Sequence, residues 1–495
     1  MFDASALRHH LATAHDLNAS ATVLEWDQET YMPDGGEDAR AHQVATLRRL
    51  AHEHFASDTT STLLARAEAE TPADPLVVVA RRDFDRATLL PPRLVAETAE
   101  AVARAKSAWR RARETNTFSV FAPHLERLVA LNVERANLAG FADTPYDALL
   151  DLYEPGLTAR VLDGVLGDLR RDLVPIVEAL AAQPRPDDAF LRARYPTETQ
   201  WTFTLDVLRD VGFDFQRGRQ DLSAHPFTTS FAPADVRLTT RVDEHFFPTA
   251  FFGTLHEAGH GLYEQGIDEH YARTLLAEGT SLGMHESQSR LWENQVGRSR
   301  AFWAHYLPQA QRRFPDALAG VSLDAFYRAV NAVEPSPIRV EADEVTYNLH
   351  IMLRTDLERA LVEGRLAVAD LPEAWNEAYR DVLNLVPGTD ALGVLQDVHW
   401  SLGTFGYFPT YTLGTLMSAQ LFDAAEDALG PMEGYVERGD FLPLLGWMRE
   451  HVHRYGRAKS AAAILLDATG QSLDAAPWLA YIRTKYGALY PGAGL

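Results

Sequence analysis

The sequence contains no cysteine among its 495 residues. That excludes disulfides, thiolate zinc fingers, iron–sulfur clusters and a cysteine nucleophile together. It also lacks any uninterrupted apolar run of about 18 residues, the length needed to span a bilayer, and Met1–Ser20 (MFDASALRHHLATAHDLNAS) has no apolar segment of the kind a secretory signal carries. Positive charge is scarce: 46 Lys+Arg stand against 69 Asp+Glu, a formal net charge of −23. A surface of that sign repels phosphate backbones and anionic lipid, so neither nucleic-acid nor membrane binding is expected. With no cysteine and no apolar signal or spanning segment, the cytoplasm is the expected compartment. The one basic string, Arg104, Lys106, Arg110, Arg111 and Arg113, reads as a solvated helix face beside Trp109. No repeat, low-complexity tract or linker divides the chain, so one domain over residues 1–495 is the simplest organisation.

What the sequence does contain is helical periodicity. In HLERLVALNVERANLAG, Leu125, Leu128, Val129, Val133 and Ala136 recur at three- and four-residue spacing, and Gly140 follows where a helix would be capped. The same pattern predicts helices near 40–55, 90–116, 159–182, 245–266, 280–305, 340–363, 370–386, 440–457 and 475–486. Between Phe227 and Val242 the pattern changes: Val236, Leu238, Thr240 and Val242 alternate with Arg237, Thr239 and Arg241, which predicts a strand. Gln183–Asp188 (QPRPDD) reads as a loop. The expected fold is therefore mainly α with a small β element.

The segment FFGTLHEAGHGLYEQG carries His256-Glu257-Ala258-Gly259-His260. On a helix, residues i and i+4 share a face, so both imidazoles can reach one metal ion. Glu257, one residue on, can then serve as general base without ligating the ion. With 18 His and 69 acidic residues, chance alone gives about 0.1 expected matches. A closed structural site commonly draws on thiolates, which are absent, whereas three N/O ligands and an open position describe a catalytic zinc site. The extended HExxHxxGxxH form is excluded, since Tyr263 and Gly266 stand where Gly and His would be needed. The third ligand is then expected to be a glutamate from a following helix, and EGTSLGMHESQSRLWEN offers Glu278, Glu286 and Glu293. Spacing alone does not separate Glu286 from Glu278.

Taken with other blocks, this segment resembles the carboxypeptidase Taq family of metallocarboxypeptidases over nearly the whole chain. The family's zinc motif and its HES block are matched by His256–His260 and His285-Glu286-Ser287. Further matches are His225-Pro226-Phe227, Asp235–Thr239 (DxRxT), Ile338–Asp343 (IRxxAD) and Gly393–Trp400 (GxxQDxHW). Outside the site, Trp26–Pro33, Tyr146–Gly156 and Phe405–Tyr411 are also similar. The resemblance implies a large clefted helical zincin fold of the neurolysin type, with a small sheet near the active site and an N-terminal helical part of about residues 1–115 covering the cleft. It further implies a homodimer that removes single residues from the C-termini of peptides using zinc or cobalt.

By the same resemblance His256, His260 and Glu286 are the metal ligands and Glu257 is the base that takes a proton from the attacking water and hands it to the leaving amine. His399 and Tyr411 become the candidate donors to the developing oxyanion. A free α-carboxylate is best read by a planar bidentate cation. Arg339 is the preferred clamp; Arg237 is better explained by an ion pair with Asp235, and the competing reading of Arg339 is a pair with Asp343. His225 is a candidate for the same pocket. Asp397 and His285 are expected to orient histidines from behind. Two other readings share much of this: an endo-oligopeptidase with the same ligands but no carboxylate clamp, and a silent helical binding protein with a vestigial site, against which the intact Glu257 argues. An aminopeptidase is disfavoured because Gly430-Pro431-Met432-Glu433-Gly434, the nearest string to a GxMEN block, lacks the Asn.

Overall fold

The structure, a computed structural model, describes residues 4–495. It is helical except for one three-stranded sheet, so the mainly α fold with a small sheet is as expected. Among the described residues no helix is long and apolar enough to cross a membrane. The chain forms two compact units, each built from three separate stretches. Unit 1 comprises Met1–Thr88, Asp187–Val330 and Met417–Ser472, and unit 2 comprises Leu89–Pro186, Asn331–Leu416 and Leu473–Leu495. Of the helices before residue 115, Ala4–Thr30, Glu37–Phe55 and Asp58–Glu70 belong to unit 1 and Pro92–Glu114 to unit 2.

Most predicted helices lie within a few residues of their expected bounds, including Glu37–Phe55, Ala122–Ala139 ending at Gly140 with φ 75°, Ala159–Ala181 and Leu371–Leu383. The helix expected over 440–457 ends at His451 and is followed by a 3-10 stretch, His453–Ala458. Two others differ for local reasons. The segment expected as one helix over 280–305 breaks into Leu282–Arg290, a π-helical turn Leu291–Val296 and Arg300–Arg313; Ser299 caps the last by accepting a hydrogen bond from the Phe302 N–H. The segment expected over 340–363 begins only at Tyr347, because the Asp343 carboxylate accepts from the N–H groups of Val345 and Thr346 and holds a turn there.

In unit 1 the expected strand is two strands joined by a turn. They are β2 (Thr228–Ala232) and β3 (Asp235–Thr240), preceded by β1 (Gly218–Leu222), which has no alternating apolar pattern. The order is β1-β3-β2, with β1 parallel and β2 antiparallel to β3. Val236, Leu238 and Thr240 are buried as the alternation requires. Thr239 is buried too, because its hydroxyl takes the Phe227 N–H at 2.9 Å. One face of the sheet packs on the helix Phe247–Gly266, where Thr254 donates to Thr240 at 3.2 Å. A second apolar cluster, including Leu7, Leu11, Leu64, Leu76 and Phe84, holds the N-terminal helices of the unit together.

Candidate metal centre

The helix Phe247–Gly266 carries Pro248 in its first turn, where a residue with no N–H leaves nothing unpaired. Its apolar residues Ala250, Phe251, Leu255, Ala258 and Leu262 are buried, which fixes the rotation of the helix and sends His256 and His260 out along one face. The helix Leu282–Arg290, capped at Ser281 by a bond from the Met284 N–H, carries Glu286. These two helices meet almost backbone to backbone. A Cβ at Gly259 would lie 2.3 Å from the Gln288 carbonyl oxygen and 2.5 Å from Ser289 Cα, so any side chain there would push Glu286 away from the histidines.

Glu286 Oε2 lies 3.7 Å from His256 Nε2 and 3.6 Å from His260 Nε2. One donor atom from each of the three residues lies within 4.8 Å of the others. An ion bound at about 2 Å from each donor fits such a triangle. The far side of every donor is also occupied. His256 Nδ1 is 2.9 Å from Glu293 Oε2, and Arg298 donates to Glu293 Oε1 at 3.2 Å. His260 Nδ1 is 2.6 Å from His285 Nδ1, whose Nε2 is 2.8 Å from Glu264 Oε1. Arg290 donates to Glu286 Oε1 at 2.7 Å, and Ser289 to Glu286 Oε2 at 3.2 Å. Partners of this kind hold ring orientation and tautomer, which is what a metal ligand needs.

Burial pushes the His256 imidazole down, yet Glu286 and the hydrogen bond to Glu293 carry it up to about 9. Burial, then the neighbouring His285 and His256, hold His260 well below its usual value. Burial raises Glu293, but His256 and Arg290 pull its carboxyl far below the usual carboxylate range. A metal ion ligated here would need both imidazoles neutral, so its binding would displace the proton that the carboxylates favour on His256. Glu257 is buried at 7 % exposure and pushed up chiefly by that burial; the Thr228 hydroxyl donates to its Oε2 at 2.6 Å.

The other candidates fall in different places. Glu278, which spacing could not separate from Glu286, is 62 % exposed and faces Arg457 at 3.7 Å, so it is not part of the cluster. In unit 1, Arg237 pairs with Asp235 at 3.0 Å and lies over the rings of Trp26 (4.3 Å) and Phe231 (4.8 Å). His225 is exposed, and its carbonyl accepts from Ser223. In unit 2, Arg339 is buried and pairs with Asp397 at 2.9 Å rather than with Asp343, while donating to the Tyr347 hydroxyl at 2.8 Å. Arg354 takes the other oxygen of Asp397 at 2.6 Å. Asp397 therefore holds two arginines, and its Oδ1 is 3.9 Å from His399 Nδ1, too far to hydrogen-bond it. His399 Nε2 is 3.2 Å from the Tyr411 hydroxyl, and burial pushes this imidazole down to about 4.

Sequence reasoning considered Glu293 only as a ligand and passed over Glu264, Arg290 and Thr228. Arg290 and Glu293 stand at i+4 and i+7 from Glu286, and Glu264 at i+4 from His260, so helical spacing held a signal for these three. For Thr228 it held none.

A buried HExxH helix with a carboxylate presented by the next helix puts the chain among the helical metallopeptidases. The family model of the carboxypeptidase Taq (M32) metallopeptidases matches residues 6–486, and the chain belongs to that family. Thermostable carboxypeptidase 1 of Thermus thermophilus is 46% identical over 492 residues, with 96% of each chain covered. Carboxypeptidase 1 of Bacillus subtilis is 39% identical over 477 residues, with 95% of each covered. The solved M32 carboxypeptidase from Deinococcus radiodurans R1 superposes with a TM-score of 0.96 at 43% identity, covering 98% of this chain and 99% of that one. The protein is a metal-dependent carboxypeptidase acting on peptides.

Proposed function

We propose that this enzyme removes single residues from peptide C-termini with a zinc ion held by His256, His260 and Glu286, cobalt being able to take its place. The observation that carries the reading is Glu286 Oε2, which sits 3.7 and 3.6 Å from the two imidazole Nε2 atoms while each Nδ1 is engaged behind. A bound zinc would supply Lewis acidity and a water with pKa lowered toward about 7. With Nε2 turned to the ion, His260 Nδ1–H donates to His285 Nδ1, and His285 Nε2–H donates to Glu264, so His285 orients a ligand from behind. Glu257 takes the proton of the attacking water and delivers it to the leaving amine, with Thr228 holding its other oxygen. We assign oxyanion donation to Tyr411 and His399, the imidazole being neutral at physiological pH. Arg339 is assigned the substrate α-carboxylate; Arg237, already paired with Asp235, and His225 are the next candidates for it. Family resemblance supports the further reading of a homodimer, and the lack of cysteine and of an apolar signal segment supports a cytoplasmic location.

Products test the reading directly. An unstructured peptide with a free C-terminus should give a stepwise C-terminal ladder by mass spectrometry. Its amidated twin should be cut poorly, and chelator should abolish both reactions. Internal cleavage of the amidated peptide at comparable rate would favour an endo-oligopeptidase. The clamp has its own test in the same assay. In Arg339→Ala, loss of a charge-assisted pair should lower kcat/KM for the free peptide about 10–100-fold and leave the amidated peptide nearly unchanged, so the ratio between them collapses. If both fall equally, Arg339 acts by bracing Asp397 instead.

A further inference from the structure

We propose that Thr228 is a positioning residue for the general base: its hydroxyl fixes which oxygen of Glu257 meets the substrate water. The proposal rests on the assignment of Glu257 as base. Thr228 opens β2, the edge strand facing the helix Phe247–Gly266. Its Oγ1 lies 2.6 Å from Glu257 Oε2 and 3.0 Å from the backbone carbonyl oxygen of the same residue. A hydroxyl has one proton and can serve only one of these acceptors at full strength. The charged carboxylate is the stronger acceptor, so while Glu257 is ionised Oε2 is tied down and Oε1 is the oxygen presented for proton abstraction. Once Oε1 has taken the water's proton, Oε2 becomes the weaker acceptor, and the Thr228 hydroxyl can turn to the carbonyl instead. The part-buried hydroxyl is then paired at both stages, and its own proton is never transferred.

The strand is built to hold this hydroxyl in place. Phe227, just before it, is pinned to β3 through both backbone groups: its N–H donates to Thr239 Oγ1 at 2.9 Å, and its carbonyl accepts the Thr239 N–H at 2.9 Å. Thr239 is fully buried. β-branching limits the Thr228 side chain to few rotamers, so a pinned backbone becomes a pinned hydroxyl.

The test compares Thr228→Val, which keeps the shape and deletes the hydroxyl, with Thr228→Ser, which keeps the hydroxyl. Thr228→Val should lower kcat about ten- to a hundredfold, with KM within about twofold of wild type and with metal stoichiometry and melting temperature unchanged. Thr228→Ser should recover kcat to within about threefold. Should the valine variant fail to fold, Thr228→Ala carries the same expectation. The proposal is overturned if Val retains wild-type kcat, if Ser is as impaired as Val, or if the loss tracks KM, metal content or melting temperature. Glu257→Gln separates the two ideas: if it is inactive while Thr228→Val is not, only the role of Thr228 is lost, and if it is fully active both fail.

Discussion

Glu257→Gln should keep its full complement of metal and lose at least about 10³-fold in kcat. The amide has nearly the same shape and can still accept from Thr228, but it cannot take a proton at neutral pH. A thousandfold loss corresponds to about 4 kcal/mol of barrier, in the middle of the range of about 10²–10⁴-fold that one positioned acid–base group contributes. Glu257 makes no part of the donor triangle formed by His256, His260 and Glu286, so metal analysis of the purified variant separates base from ligand. Metal loss on this substitution would overturn the assignment, as would kcat within tenfold of wild type.

Glu286→Ala should lose both metal and activity, because it removes the one oxygen that approaches both imidazoles. It also removes the carboxylate oxygen to which the largely buried Arg290 guanidinium donates at 2.7 Å, in a site where Glu293 lies 3.6 Å from the same guanidinium. His260→Ala should do the same by deleting a ligand directly. Glu278→Ala serves as the control: that side chain is mostly exposed against Arg457, so metal content should match wild type. Elemental analysis after dialysis without added metal is the measurement. Retention of stoichiometric metal by Glu286→Ala together with its loss in Glu278→Ala would mean that the third ligand has been misplaced.

Long amphipathic helices and the HExxH string were legible because each is a local pattern: 3.6-residue periodicity in one case and a five-residue spacing in the other. The choice between Glu278 and Glu286 was not legible from spacing, since both fall at similar distance after His260. In the structure it turns on how closely two helices can approach at Gly259, a property of the packed fold. Breaks inside the predicted helices escaped for a different reason. Asp343 and Ser299 end or restart helices by capping backbone N–H groups, a polar local interaction that hydrophobic periodicity does not register. β1 has little alternation to read because its sequence, GRQDL, combines an Arg219–Asp221 ion pair with buried polar residues. Thr228 touches Glu257 across 29 residues of sequence, and the Arg339–Asp397 pair spans 58. Contacts of that range are set by topology, and a single sequence carries no pattern for them.

The interleaving of the two units also governs how the enzyme is made. Every proposed ligand is synthesised by residue 286, yet unit 1 includes a stretch that runs to Ser472. His453, which is fully buried, lies in that late stretch; its Nε2 bonds Gln288 Oε1 at 2.8 Å, and its ring packs so closely on Gly266 that a Cβ there would be 2.5 Å away. The ligand-bearing helices therefore lack part of their support until residue 453 has been made, on the order of ten seconds or more after Glu286 has been added. A nascent chain shortened before residue 453 should present the three ligands without the packing that sets their spacing. Stable metal uptake then waits until residue 453 is free to pack, and deletions that remove His453, far from the ligands in sequence, should behave as metal-binding defects.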